Sequence, residues 1–76
     1  MVIGVTMVNV TPGKEKQVYN AIKELKNVRD VYHVFGEFDF VVIIEAQSLS
    51  DLNKTVDSIR KIEGVTKTQT VVGAEI

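Results

Sequence analysis

An internal repeat constrains this chain more than any other feature. Its halves align at an offset of 37 residues, placing Tyr19 on Val56, Ile22 on Ile59, Leu25 on Ile62, Val28 on Val65, Phe35 on Val72 and Gly36 on Gly73. Each half reads strand, helix, strand. Right-handed crossovers interleave two such units into one sheet. The expected fold is therefore α+β, a ferredoxin-like βαββαβ sandwich with a four-stranded antiparallel sheet and both helices on one face. Residues 1–76 make a single domain.

The first strand, residues 2 to about 10, is apolar on both parities, as a strand covered on both faces is. Ile3, Val5 and Met7 share one side; Val2, Thr6, Val8 and Val10 share the other. Thr11-Pro12 reads as a helix start, with threonine capping and proline in the first helical position. That helix is expected to run to about Lys26, with Val18, Ile22 and Leu25 on one face and Asn27 as its stop. Residues 28–35 read as the second strand, Gly36-Glu37 as a tight connection and residues 38–46 as the third strand. In the third strand Phe38, Phe40, Val42, Ile44 and Ala46 should face the helices, with Asp39, Val41, Ile43 and Glu45 facing away. Ser48 and Asp51 have the spacing of a capping box. Leu49, Leu52, Val56, Ile59 and Ile62 then form a helical stripe that Gly64 ends in a left-handed conformation. A fourth strand runs from Val65 to about Gly73.

Such a sheet leaves one face bare, and that face is expected to carry Val2, Val8, Val10, Val41 and Ile43. This is more contiguous apolar surface than a soluble monomer usually shows. A chain of 76 residues without cysteine hides only about 60% of its unfolded surface and has no disulfide to staple it. Burying several hundred Å2 at roughly 25 cal/mol per Å2 stabilises an assembly by several kcal/mol before association costs. A dimer built sheet to sheet is the expectation.

Composition narrows the function. The formal net charge is −1, which is no footprint for gripping a phosphate backbone, so no direct nucleic-acid contact is expected. No run approaches the 18 or so apolar residues that span a bilayer, and the apolar start lacks a basic leader, so a cytoplasmic protein without membrane contact is expected. No cluster of His with acids could hold a metal, and no cofactor motif is present. His33, the only histidine, has no neighbouring acid in sequence and reads as structural or surface-exposed. Thr11-Pro12-Gly13-Lys14 is followed by Glu15 rather than Ser or Thr, so it fits capping better than a phosphate loop. No catalytic residue is expected.

Asp39 is the side chain with a chemical reading. It starts a strand whose next same-side residues are Val41 and Ile43, so its carboxylate needs a donor or a cation. It can bond backbone N–H groups near Gly36. Alternatively it receives the ammonium of a small zwitterion, whose carboxylate the turn's own N–H groups hold in a backbone nest.

Gly36-Glu37-Phe38-Asp39, entering the apolar run Phe40-Val41-Val42-Ile43-Ile44, resembles the effector domain of the leucine-responsive/asparagine-responsive (Lrp/AsnC) regulator family. This domain is also called the module for regulation of amino acid metabolism (RAM). Gly64-Val65, Lys67, Thr68 and Thr70 match the family's pattern after the second helix, and the match spans essentially the whole chain. The resemblance implies face-to-face dimers that assemble further into octamers or decamers, with an amino-acid effector bound between dimers. It implies that Gly36, Glu37 and Phe38 face the effector's carboxylate and Asp39 its ammonium, and that Thr68, Gln69 and Thr70 line the pocket from a neighbouring chain. It further implies modulation of transcription in amino-acid metabolism, through mixed assembly with full-length regulators of the family. Two departures stand out. Nothing before Met1 encodes the family's helix-turn-helix domain, so a stand-alone module is expected; and Phe38 stands where the family often has Tyr. Two alternatives remain: a dimeric α+β barrel enzyme of monooxygenase type, with Tyr32 and His33 lining a cavity, and an assembly module without a ligand.

Overall fold

The computed structural model describes residues 1–73. Its elements are β1 (Val2–Val10), α1 (Glu15–Lys23), β2 (Val28–His33), β3 (Phe40–Ala46), α2 (Leu49–Arg60) and β4 (Val65–Gly73). The strands form one antiparallel sheet in the order β2-β3-β1-β4. Val18 and Ile22 of α1, and Leu52, Val56 and Ile59 of α2, are buried together with Val8, Val10, Phe40, Val42, Ile44 and Ala46. Both helices therefore cover the same face of the sheet, as the ferredoxin-like arrangement requires. Neither helix is long and apolar enough to cross a membrane.

The 37-residue offset is visible in the backbone. The Leu25 N–H donates to the Ile22 carbonyl at 3.0 Å and the Ile62 N–H to the Ile59 carbonyl at 3.1 Å. The equivalent residues Asn27 (φ +73°) and Gly64 (φ +102°) both turn the chain through left-handed backbone into β2 and β4. At Gly64 a side chain would also crowd the first helix, because a Cβ there meets Lys14 Cβ and Val18 Cγ2 at 3.0 Å.

The helix starts break the repeat. Ser48 Oγ accepts the Asp51 N–H at 3.2 Å and caps α2. Thr11-Pro12 does not start α1: the Lys14 N–H donates to the Thr11 carbonyl at 3.0 Å and Gly13 has φ +92°, which closes a turn before Glu15. Glu15 Oε1 accepts the Gly13 N–H at 2.8 Å, and the nine-residue α1 begins without a side-chain cap. The left-handed glycine excludes the helix that threonine and proline otherwise favour.

The face assignment of β1 is also corrected. Residues paired across strands share a face, and Val8 pairs with Phe40, Thr6 with Val42 and Gly4 with Ile44. Val8 and Val10 are accordingly buried and Val2 packs against the core, so none of the three lies on the bare face. That face carries Ile3, Val5 and Met7 instead, with Val5 opposite Ile43 and Met7 opposite Val41. Both parities of β1 are apolar, so periodicity alone could not choose between them. Gly4 was the available signal, because a Cβ there would lie 2.8 Å from Leu52 Cδ1, so the small residue marks the face on which α2 packs.

Candidate functional site

The segment between β2 and β3 is longer than a tight turn, because β2 ends at His33 and β3 begins at Phe40. The Val34 N–H closes it by donating to the Asp39 carbonyl at 2.9 Å. Gly36 has φ +119°, a backbone that L side chains rarely adopt, with open space where a Cβ would be. The N–H groups of Gly36, Glu37 and Phe38 donate to no backbone carbonyl among the described residues. Unengaged successive amides of this kind are what an anion-binding nest requires.

Asp39 is held from two sides. Its N–H donates to the Val8 carbonyl at 3.0 Å, and its Oδ2 accepts the Val10 N–H at 2.8 Å. Val10 lies beyond the Val8–Phe40 pair that ends the ladder between β1 and β3, so the carboxylate supplies an acceptor that no β3 carbonyl provides. Asp39 thus bonds a backbone N–H of β1 rather than one near Gly36. Beside it, Lys67 Nζ sits 5.9 Å from the centre of the Phe38 ring, which ties the loop to the start of β4 by a cation–π contact.

Thr68, Gln69 and Thr70 alternate across β4. Thr70 Oγ1 hydrogen-bonds Thr6 Oγ1 at 3.0 Å, and Arg60 Nε donates to Thr68 Oγ1 at 3.0 Å, so both hydroxyls lie on the helix-bearing side. Gln69 pairs with Met7 and is exposed on the open face. Phe40 and Thr68 both pair with Val8, which leaves one strand between β4 and the loop in the same chain, about 10 Å at the usual strand spacing. Within one chain these residues do not converge on a single pocket.

The space between sheet and helices is packed, since Phe40, Val42 and Ile44 are at most 2% exposed. His33 faces Phe40 with ring centres 4.9 Å apart and has no hydrogen-bonded acid among the described residues. It lines an open groove of about 500 Å3 between the start of α1 and β2, together with Glu15, Lys16, Tyr19, Val31, Tyr32 and Phe40. Next to this groove Phe35 is 97% exposed, its ring 5.8 Å from that of His33. The repeat aligns Phe35 with Val72 and gave no sign of that exposure. The signal was Gly36 immediately after it, whose left-handed backbone marks a loop where a continued strand would have paired. No group of three or more metal-ligating side chains occurs among the described residues.

Comparison with known proteins adds to this geometry. The family model for the Lrp/AsnC ligand binding domain matches residues 1–74. An HTH-type transcriptional regulator of Pyrococcus furiosus is 40% identical over 63 residues, which are 83% of this chain and 43% of that protein. The HTH-type transcriptional regulator LysM of Saccharolobus solfataricus is 30% identical over 69 residues, 90% of this chain and 49% of that protein. The chain thus spans less than half the length of either regulator. Among solved structures, FFRP-DM1 superposes with a TM-score of 0.91 at 29% identity, covering 97% of this chain and all of the other.

Proposed function

The chain belongs to the Lrp/AsnC ligand binding domain family, and from that premise we propose that it binds an amino acid at interfaces between copies of itself and couples occupancy to transcriptional regulation. The observation that carries this reading is the 36–39 loop. Three amides at Gly36, Glu37 and Phe38 without a partner among the described residues sit beside a carboxylate of which Oδ2 alone is engaged by them. A zwitterion has complementary charges: its carboxylate meets the amides and its ammonium meets Asp39 Oδ1.

The pocket is completed by another chain. As an edge strand, β4 of a neighbour can present Gln69 from its open face and Thr68 and Thr70 along its rim. Assembly begins at the open sheet face, where Ile3, Val5, Met7, Val41, Ile43 and Val71 form an apolar centre. Arg29, paired with Asp30 at 3.3 Å and Glu45 at 3.5 Å, provides a polar rim. An apolar centre with a charged rim is the anatomy of a protein interface. Two such faces form a dimer, and dimers assemble further into an octamer or decamer, including mixed assemblies with full-length regulators.

The protein acts without catalysis, in the cytoplasm. Beside His33 lies an open groove against the buried Phe40 rather than the enclosed chamber a barrel enzyme would need. Isothermal calorimetry and thermal shift against the common amino acids at millimolar concentration test the sensing role. Heat and stabilisation with a subset are expected; silence with all of them rejects it.

A further inference from the structure

Phe35 and the groove beside it form a knob and a hole on one surface. Phe35 is 97% exposed, whereas the groove next to it has aromatic and apolar walls from Tyr19, Val31, His33 and Phe40. The charges around them are complementary. Glu37, two residues from the knob, makes no ion pair among the described residues, and neither does Lys16 on the rim of the groove. Glu15, the acid on that rim, is already engaged by the Gly13 N–H.

We propose that Phe35 of one subunit seats in the α1–β2 groove of a second copy of this chain, and reciprocally, with Glu37 of each facing Lys16 of the other. A knob beside its own hole makes a self-complementary patch, and a two-fold axis between the two satisfies both copies at once. The groove's own Phe35 does not fill it, because that ring stands almost wholly in solvent.

The size of the contact sets its role. A phenylalanine buries roughly 150–250 Å2, so two rings and their walls fall short of the roughly 1,000 Å2 that a free-standing interface needs. Between subunits already paired through their sheets the contact is made more than once in the same assembly, and effective concentration multiplies its strength. It therefore joins dimers into larger assemblies and does not hold the dimer itself. This rests on the sheet-face dimer proposed above, but it uses a different surface.

Sedimentation velocity and native mass measurement on the whole chain test it. The wild type is expected as a multiple of dimers. Phe35→Ser is expected to stop at the dimer with its circular dichroism spectrum retained and only a small fall in melting temperature, since within its own chain the ring meets the His33 ring at the surface and is otherwise in solvent. Lys16→Glu and Glu37→Lys are each expected to weaken assembly beyond the dimer about tenfold, and the double variant to restore it. A Phe35→Ser mass distribution equal to wild type, a wild type that never exceeds a dimer, or a double variant no better than the singles overturns the proposal. Ile43→Lys keeps the two readings distinguishable. If it leaves dimers intact, the sheet-face reading fails, whereas the Phe35 variants still decide this contact.

Discussion

Asp39 Oδ2 accepts the backbone N–H of Val10 at 2.8 Å, joining the loop before β3 to the end of β1. Val10 is only 7% exposed, so water cannot readily replace that acceptor. The residue with the strongest claim to a ligand is thus also a structural tie, and the two roles can be separated by substitution.

Asp39→Ala is expected to destabilise the fold by about 1–3 kcal/mol, because it leaves the Val10 donor unpaired. For a domain of this size that lowers Tm by about 4–8 °C per kcal/mol. Asp39→Asn keeps a neutral acceptor and should recover most of the lost Tm, while offering no charge to an ammonium. Melting curves and calorimetry on both variants would show whether stability and amino-acid binding part company. If Asn binds as the wild type does, Asp39 serves structure alone.

Gly36 and Gly64 both occupy left-handed backbone, but only Gly64 is crowded. Gly36→Ala should cost about 1–3 kcal/mol through backbone strain alone. Gly64→Ala should cost more, because its new methyl also presses on Lys14 and Val18. Urea denaturation gives the ranking, and equal losses would contradict the crowding.

Thr55 is buried at the junction of the two repeats. Its hydroxyl lies 3.2 Å from the Lys26 and Asp51 carbonyls and 3.4 Å from Asn27 Nδ2. Thr55→Val keeps the shape and removes the oxygen, so a loss of about 1–3 kcal/mol is expected from the unpaired Lys26 and Asn27 groups. A loss below about 0.5 kcal/mol in chemical denaturation would mean that water replaces the hydroxyl.

Val5 and Ile43 stand opposite one another on the open sheet face. Ile43→Lys places a charge at the centre of the expected interface without touching the helix-covered core. Light scattering should show the mass falling to that of a monomer, with the circular dichroism spectrum retained. An unchanged mass would move the dimer contact elsewhere.

Much of this architecture is local, and local features were legible. The repeat placed six elements in order because the helix stripes and left-handed stops recur at a fixed spacing. Asn27 and Gly64 could be named as stops from residue type alone. The alternation of Phe38, Phe40, Val42, Ile44 and Ala46 against Asp39, Val41, Ile43 and Glu45 marked the core face correctly from Phe40 onward, whereas Phe38 lies in the loop before β3 and is not part of that face. β1 offered no such contrast, so its faces were decided only when Val8 met Phe40 and Gly4 met Leu52. Those contacts are set by register and helix approach, which no single strand encodes.

The same division runs through the site. The sequence by itself determined that the chain turns at Gly36 and that Asp39 needs a partner for its carboxylate. But it read a tight connection between strands 28–35 and 38–46, and only the tertiary structure opened the interruption to run from His33 to Phe40. Tertiary structure alone decided that Asp39 reaches Val10, that Thr68 and Thr70 turn toward the helices while Gln69 faces out, and that Phe35 stands in solvent beside an aromatic groove. Each of these depends on where a distant strand lies in space, and strand pairing between residues far apart in sequence is a property of the whole fold.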